Sequence, residues 1–198
     1  MPQNPPGAAV KYNAVAMSLH WLIALLIVCN IGIAWYFNTL NGAAKIPPVQ
    51  LHKSIGVTVL LLSLARLAWR FISPPPPLPR SVTGWQRPVA NVTYILFYVI
   101  MLGLPLTGWA LSSASQLIKV YPITLFGVLP WPAIAPLANL PPDQMKEAHH
   151  VFVFMHGLLG KLTYGLIVLH VGAALRHLIL LRDDVVSRMV PFVKAPSA

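Results

Sequence analysis

The sequence predicts an all-α protein, an integral membrane four-helix bundle with up-down topology, and three observations carry that expectation. Of 198 residues, 57% are apolar and only 9% charged, against roughly 25% charged in an average soluble domain. The apolar residues gather in four blocks, each long enough to cross a bilayer. Histidines recur within those blocks or at their mouths, at His20, His52, His156 and His170. Together these exclude an ordinary water-soluble globule, a disordered chain and a coiled coil, and residues 1–198 read as one transmembrane domain.

Val15 to Phe37 is 23 residues without a charge, which at about 1.5 Å rise per residue crosses a hydrocarbon core of about 30 Å. It is too long for a signal-peptide core, and Met1 to Val10 holds neither an apolar run nor a cleavage pattern, so this block is expected to stay as an anchor. The second span, 52–72, has Ile55 to Phe71 as its apolar body, interrupted by Arg66 and Arg70, and Pro74 to Pro77 stop it because proline lacks the amide donor. The third, 89–113, contains Pro105, an expected kink that a membrane helix tolerates. The fourth, 149–181, is 33 residues, about 50 Å as a helix, so one end is expected to protrude. Between the last two spans, the 114–148 loop carries prolines at 122, 130, 132, 136, 141 and 142, which favour an extended or interfacial segment over a packed domain.

Charge sets the expected orientation. Lys11, Arg70, Arg80, Arg87, Arg182, Arg188 and Lys194 fall on one side of an up-down bundle, with Arg66 and Arg176 near the same face. Lys45, Lys53, Lys119 and Lys146 fall on the other, offset by Asp143 and Glu147. By the positive-inside rule both termini are cytoplasmic and the 114–148 loop is outside, which places the chain in a cell membrane as a multi-pass protein bathed in lipid. The net charge of +10 comes from 14 Lys and Arg that mostly flank apolar blocks, so nucleic acid is not an expected partner. A lone cysteine, Cys29, allows no internal disulfide and no C-x-x-C-H haem attachment.

The histidines carry the chemistry. Each polar side chain in hydrocarbon needs a partner, a wet cavity or a metal. His156 and His170 are 14 residues apart, so they return to within about 40° of one helix face and differ in depth by about 21 Å. Topology then brings His52 to the depth of His156 on the outer side and His20 to that of His170 on the inner side. Two facing pairs would give bis-imidazole ligation to two b-type haems. A single membrane histidine more often makes an interhelical hydrogen bond, and a haem-free scaffold built on such contacts stays open as an alternative. Zinc would need further ligands that neither cysteine nor a carboxylate cluster supplies. Gly56, Gly160 and Ala174, each four residues after a proposed ligand, leave room for a porphyrin face or for close helix packing. Arg66, 14 residues after His52, reaches the inner level, either to meet haem propionates or to snorkel to headgroups. His177 is seven after His170 on the same face, a place for quinone contact or proton delivery; Ser18 and Arg176 lie near the same level and join it as quinone-site candidates. Lys161 has no functional assignment, and no residue is named as catalytic.

These residues resemble the bacterial cytochrome b561 family, which includes the cytochrome b subunits of nickel-iron hydrogenases. The resemblance runs from Ser18-Leu19-His20-Trp21 through His52-Lys53-Ser54-Ile55-Gly56 with Arg66 and Arg70, and Leu125-Phe126-Gly127, to His156 and His170. It closes on Arg182-Asp183-Asp184 with Arg188-Met189 and Pro191. It implies a four-helix bundle in the bacterial inner membrane with two haems b on His20, His52, His156 and His170, and electron exchange with the quinone pool. One branch of that family takes electrons from superoxide to ubiquinone, and similarity to it makes a superoxide:ubiquinone oxidoreductase the first functional expectation. The alternative is a cytochrome b relay subunit fed by a periplasmic dehydrogenase or a hydrogenase-like redox protein. The outer lysines would steer an anion, or are ordinary solvated residues.

Overall fold

Backbone amides in hydrocarbon find no water, so each apolar block satisfies its own hydrogen bonds by closing into a helix. In the computed structural model, which describes residues 11–78, 82 and 84–190, α1 spans Ala14–Asn38 and α2 Ile46–Ile72. α3 spans Gln86–Ser113, a short α4 Ala135–Ala138, and α5 Pro142–Leu175. With their flanking turns, α1, α2, α3 and α5 are long and apolar enough to cross a membrane. Arg80, Pro191 and Lys194, and the stretch Met1 to Val10, lie outside the described residues.

The helix starts depart from expectation where proline sits at a first turn. α2 begins at Ile46 rather than 52, with Pro47 and Pro48 at positions whose amides would be unpaired anyway. For the same reason α5 begins at Pro142, so residues 142–148, expected in the loop, form its first turns. α3 runs as one helix through Pro105. Beyond Leu175 the chain widens into a π-helical turn, Arg176–Leu181, and leaves it at Arg182 in the left-handed region (φ 49°).

The connection between α3 and α5 is folded where an extended or interfacial segment was expected. It contains a 3-10 turn, Gln116–Lys119, and a small antiparallel hairpin of β1 (Thr124–Leu125) and β2 (Leu129–Pro130) in the register Leu125↔Leu129. Phe126 (φ 52°) and Gly127 (φ 74°) make the tight turn with positive φ at both central residues, as the twist of a hairpin demands. Glycine adopts that region freely but phenylalanine does not. What holds Phe126 there is Ser54 of α2, 1% exposed, whose Oγ accepts the Phe126 amide at 2.9 Å while donating to the Gln50 carbonyl at 2.8 Å. Ser113 repeats the device, accepting the Ile134 amide at 3.0 Å.

α2 packs on α1 and α3, and α3 packs on α5. Ile23, Ile55, Val59 and Met101 form the buried core, flanked by Leu26, Ile27, Leu62 and Phe97. Gly103 of α3 faces α5, where a methyl would lie in ordinary contact, 3.5 Å from Leu159. Among the spans, α3 is the close backbone neighbour of α5; the side of α5 that faces α1 and α2 is bridged by side chains.

At the end opposite the hairpin, residues 182–190 fold back across the helix ends. Arg188 pairs with Asp184 at 2.6 Å and donates to the Pro77 carbonyl at 2.8 Å. The Tyr12 amide donates to the Arg188 carbonyl at 3.1 Å, and Trp21 Nε1 to that of Met189 at 2.9 Å. Both ends of the described chain therefore meet at one end of the bundle, here the terminal end, and the hairpin marks the loop end.

Replacing Ser54 by alanine removes the acceptor of the Phe126 amide, an expected cost of about 0.5–1.5 kcal/mol. It should appear as a lower unfolding temperature in detergent and faster proteolysis within 114–134, with the spans intact.

Candidate bis-histidine centres

His20 lies in the second turn of α1 and His170 near the end of α5, and their ring centres are 6.2 Å apart with planes inclined at 74°. His52, in the second turn of α2, faces His156 of α5 with the same 6.2 Å separation and an 81° inclination. The pairs sit at the terminal and loop ends respectively, with the apolar core between them. The structure thus brings together the pairs that helix periodicity matched by depth. Among the described residues no three His, Cys, Asp or Glu side chains converge as a bare ion requires.

The separation leaves room for a metal between the rings: two imidazole nitrogens each bonded to one ion at about 2.0–2.1 Å would need ring centres roughly 6 Å apart. Rings seeking each other as hydrogen-bond partners would come closer. Apolar rings flank the pairs: Phe37 stands 5.4 Å from His52, edge-on, and Phe97 5.0 Å from His170.

Which nitrogen is available depends on what the other one meets. His52 Nδ1 lies 3.2 Å from the Asn30 carbonyl, and His156 Nδ1 lies 3.0 Å from the Leu104 carbonyl. A carbonyl only accepts, so Nδ1 carries the proton in both and Nε2 keeps its lone pair for a metal. The His156 ring also rests on Gly108 of α3: a methyl there would lie 3.0 Å from Cε1 and 3.3 Å from Nδ1. His20 differs, because Arg66 Nη1 lies 2.9 Å from its Nδ1. Guanidinium only donates, so this nitrogen accepts.

The remaining candidates are less concentrated. His177 is half-buried and held at Nδ1 by Asp183 Oδ2 at 2.7 Å, beyond His170 toward the terminal end. Ser18 and Arg176 are exposed on their helices, and neither side chain bonds to His20 or His170 among the described residues. Gly160 opens onto empty space, and a methyl at Gly56 would meet only Asn30 Nδ2, at 3.9 Å. Lys161 is exposed on α5. At the loop end a cavity of about 320 Å³ lies beside α2, lined by Lys45, Gln50, Lys53, Ser112, Ser115 and His149. Sequence reasoning missed Gly108 and the two carbonyls. Gly108 stands five residues after Gly103, outside the four-residue spacing that marks close helix contact, and a backbone carbonyl leaves no mark in sequence.

A sequence profile described as prokaryotic cytochrome b561 matches residues 11–192. Cytochrome b561 homolog 2 of Escherichia coli K12 is 28% identical over 184 residues, covering 91% of either chain. A protein named probable superoxide oxidase CybB, from Yersinia pestis, is 29% identical over 188 residues, covering 91% of this chain and 96% of its own. Cytochrome b561 homolog 1 of Escherichia coli K12 is 26% identical over 191 residues, covering 91% of this chain and 97% of its own.

Alanine at Gly108 pushes the His156 ring from its seat, while alanine at Gly157, which has open space beside it, does not. The first is expected to alter the visible absorption of one centre and to cost about 1–3 kcal/mol by overpacking. The second should leave absorption and unfolding temperature unchanged.

Proposed function

The chain belongs to the prokaryotic cytochrome b561 family of membrane electron-transfer proteins, and from that premise we propose that it holds two haems b and carries electrons from a donor at the loop end to the membrane quinone pool. Haem b and a multi-pass position in the bacterial inner membrane follow from the family and the four spans. The haem number, the donor and the acceptor are the reading proposed. The observation that carries it is the repeated 6.2 Å separation of two histidine pairs at opposite ends of one bundle.

His52 and His156 would hold one haem and His20 and His170 the other, with Arg66 available to a haem carboxylate. When bound, each iron passes between ferric and ferrous and so handles one electron at a time. The protein's part is to fix and insulate. The Asn30 and Leu104 carbonyls keep Nε2 of His52 and His156 unprotonated. Ile23, Ile55, Val59 and Met101 exclude water between the levels.

Superoxide is the donor we favour, and ubiquinone the acceptor. Support comes from the relative named probable superoxide oxidase and from Lys45 and Lys53 around the loop-end cavity, whose positive charge attracts a small anion. Two superoxide anions oxidised to dioxygen release two electrons, which with two protons convert a quinone to a quinol. His177, held by Asp183, is placed to supply a proton at the terminal end, on the cytoplasmic side by the positive-inside rule. A relay fed by a redox protein is the second reading, favoured by the exposed apolar hairpin tip of Phe126, Val128 and Leu129.

Purified wild type should carry two haems per chain, His52→Ala and His170→Ala one each, with different components missing from the reduced-minus-oxidised spectra. A single haem in wild type overturns the paired assignment. Superoxide alone should reduce the protein, with superoxide dismutase abolishing the effect; reduction that needs a copurifying redox protein selects the relay. In His177→Ala both haems should remain while reoxidation by quinone slows about 100-fold or more, in the range of a lost proton donor. Unchanged reoxidation removes His177 from the mechanism.

A further inference from the structure

Cationic side chains within a span call for a counter-charge, and among the described residues neither Arg66 nor Arg70 of α2 has a carboxylate partner. Arg66 and Arg70 lie one turn apart on α2, both half-buried. The whole sequence has four carboxylates. Asp143 and Glu147 belong to the first turns of α5 at the loop end, while Asp183 is engaged by His177 and Asp184 by Arg188 at the terminal end. Among the described residues, no carboxylate pairs with either arginine. A desolvated guanidinium without an anion is costly.

The groups around these arginines are donors as well. The guanidinium carbon of Arg70 sits 3.8 Å above the centre of the Tyr94 ring, so the side chain lies against α3 instead of reaching out toward headgroups. The Tyr94 hydroxyl is buried and makes no well-formed hydrogen bond among the described residues, its neighbouring phenol being Tyr98, with ring centres 4.9 Å apart. Tyr94 is one turn from Phe97, which packs on His170. Arg66 points its N–H at His20 Nδ1. That contact holds only while Nδ1 accepts, and a neutral His20 that gives Nε2 to a metal carries its proton on Nδ1. Two N–H donors then oppose each other and Arg66 must turn to another acceptor.

We infer that Arg66, Arg70 and Tyr94 form a carboxylate-receiving site beside the His20–His170 pair, occupied by a propionate of the haem proposed there. The inference rests on the two-haem reading. Two guanidiniums and a phenol offer the directed donors that a carboxylate takes with strong, charge-assisted hydrogen bonds. With two fixed positive charges and one or two haem carboxylates, this end favours the reduced iron more than the same ligands would alone. Such a site makes the terminal-end centre the electron sink of the pair, and electrons supplied at the loop end collect beside the quinone.

Redox titration of the intact purified protein tests this, comparing wild type with Arg70→Met, Tyr94→Phe and Arg70→Lys. In Arg70→Met one of the two midpoints is expected to move to lower potential while the other stays. Tyr94→Phe should move the same midpoint less, and Arg70→Lys should restore most of the wild-type value. The component that moves should be the one missing from His170→Ala; if Arg70→Met loses a haem instead, it should be that same component. Should Arg70→Met fail to fold, Tyr94→Phe, which removes a single oxygen, decides the matter alone. Midpoints unmoved in both variants, or movement of the component missing from His52→Ala, overturns the site and leaves the two-haem reading standing. A wild type without two haems overturns both.

Discussion

An imidazole inside a bilayer has two ring nitrogens to satisfy and no water to do it. That constraint organises the molecule. At His52 and His156 the chain meets it by offering a backbone carbonyl to Nδ1, which is possible only where a neighbouring helix has a carbonyl to spare. The Leu104 carbonyl also receives the Thr107 hydroxyl at 2.9 Å, so one backbone oxygen of α3 meets both a hydroxyl and an imidazole. The ring then needs room, and Gly108 one turn on provides it. Threonine, glycine and histidine thus act as one device spread over two helices.

The packing order follows from the same need. α2 and α3 carry the continuous contact of the bundle, and α5 attaches through α3. On the other side of α5, histidine rings span a distance that helices in direct contact would close. The clamps at the two bundle ends hold that distance. Ser54 and Ser113 secure the connection at the loop end, and Arg188, Tyr12 and Trp21 secure the terminal end. Ser54 is two residues from His52, so one turn of α2 serves both the clamp and the centre.

Much of this was legible in the sequence, for identifiable reasons. Charge-free apolar blocks announce helices because a bilayer offers no other solution, and a spacing of 14 residues places His156 and His170 on one face regardless of packing. Helix starts were misjudged where Pro47, Pro48 and Pro142 stand, because proline reads as a breaker in the interior yet is favourable at a first turn. The folded connection was illegible because it depends on two serines forming long-range bonds to backbone amides, and serine has no pattern that marks this use. Arg66 was visible as a charge out of place. Its contact with His20, and Tyr94 beneath Arg70, depend on side chains from three helices, which periodicity along any one of them does not report.

Both histidine pairs draw one member from α5, the last span of the chain. Synthesis proceeds from the first span to the fourth, so a chain interrupted anywhere before His156 contains no paired site, and one interrupted between His156 and His170 contains a single pair. Completion of either histidine pair is thereby linked to completion of the polypeptide. A product truncated before His156 keeps His20 and His52 with no facing imidazole from α5.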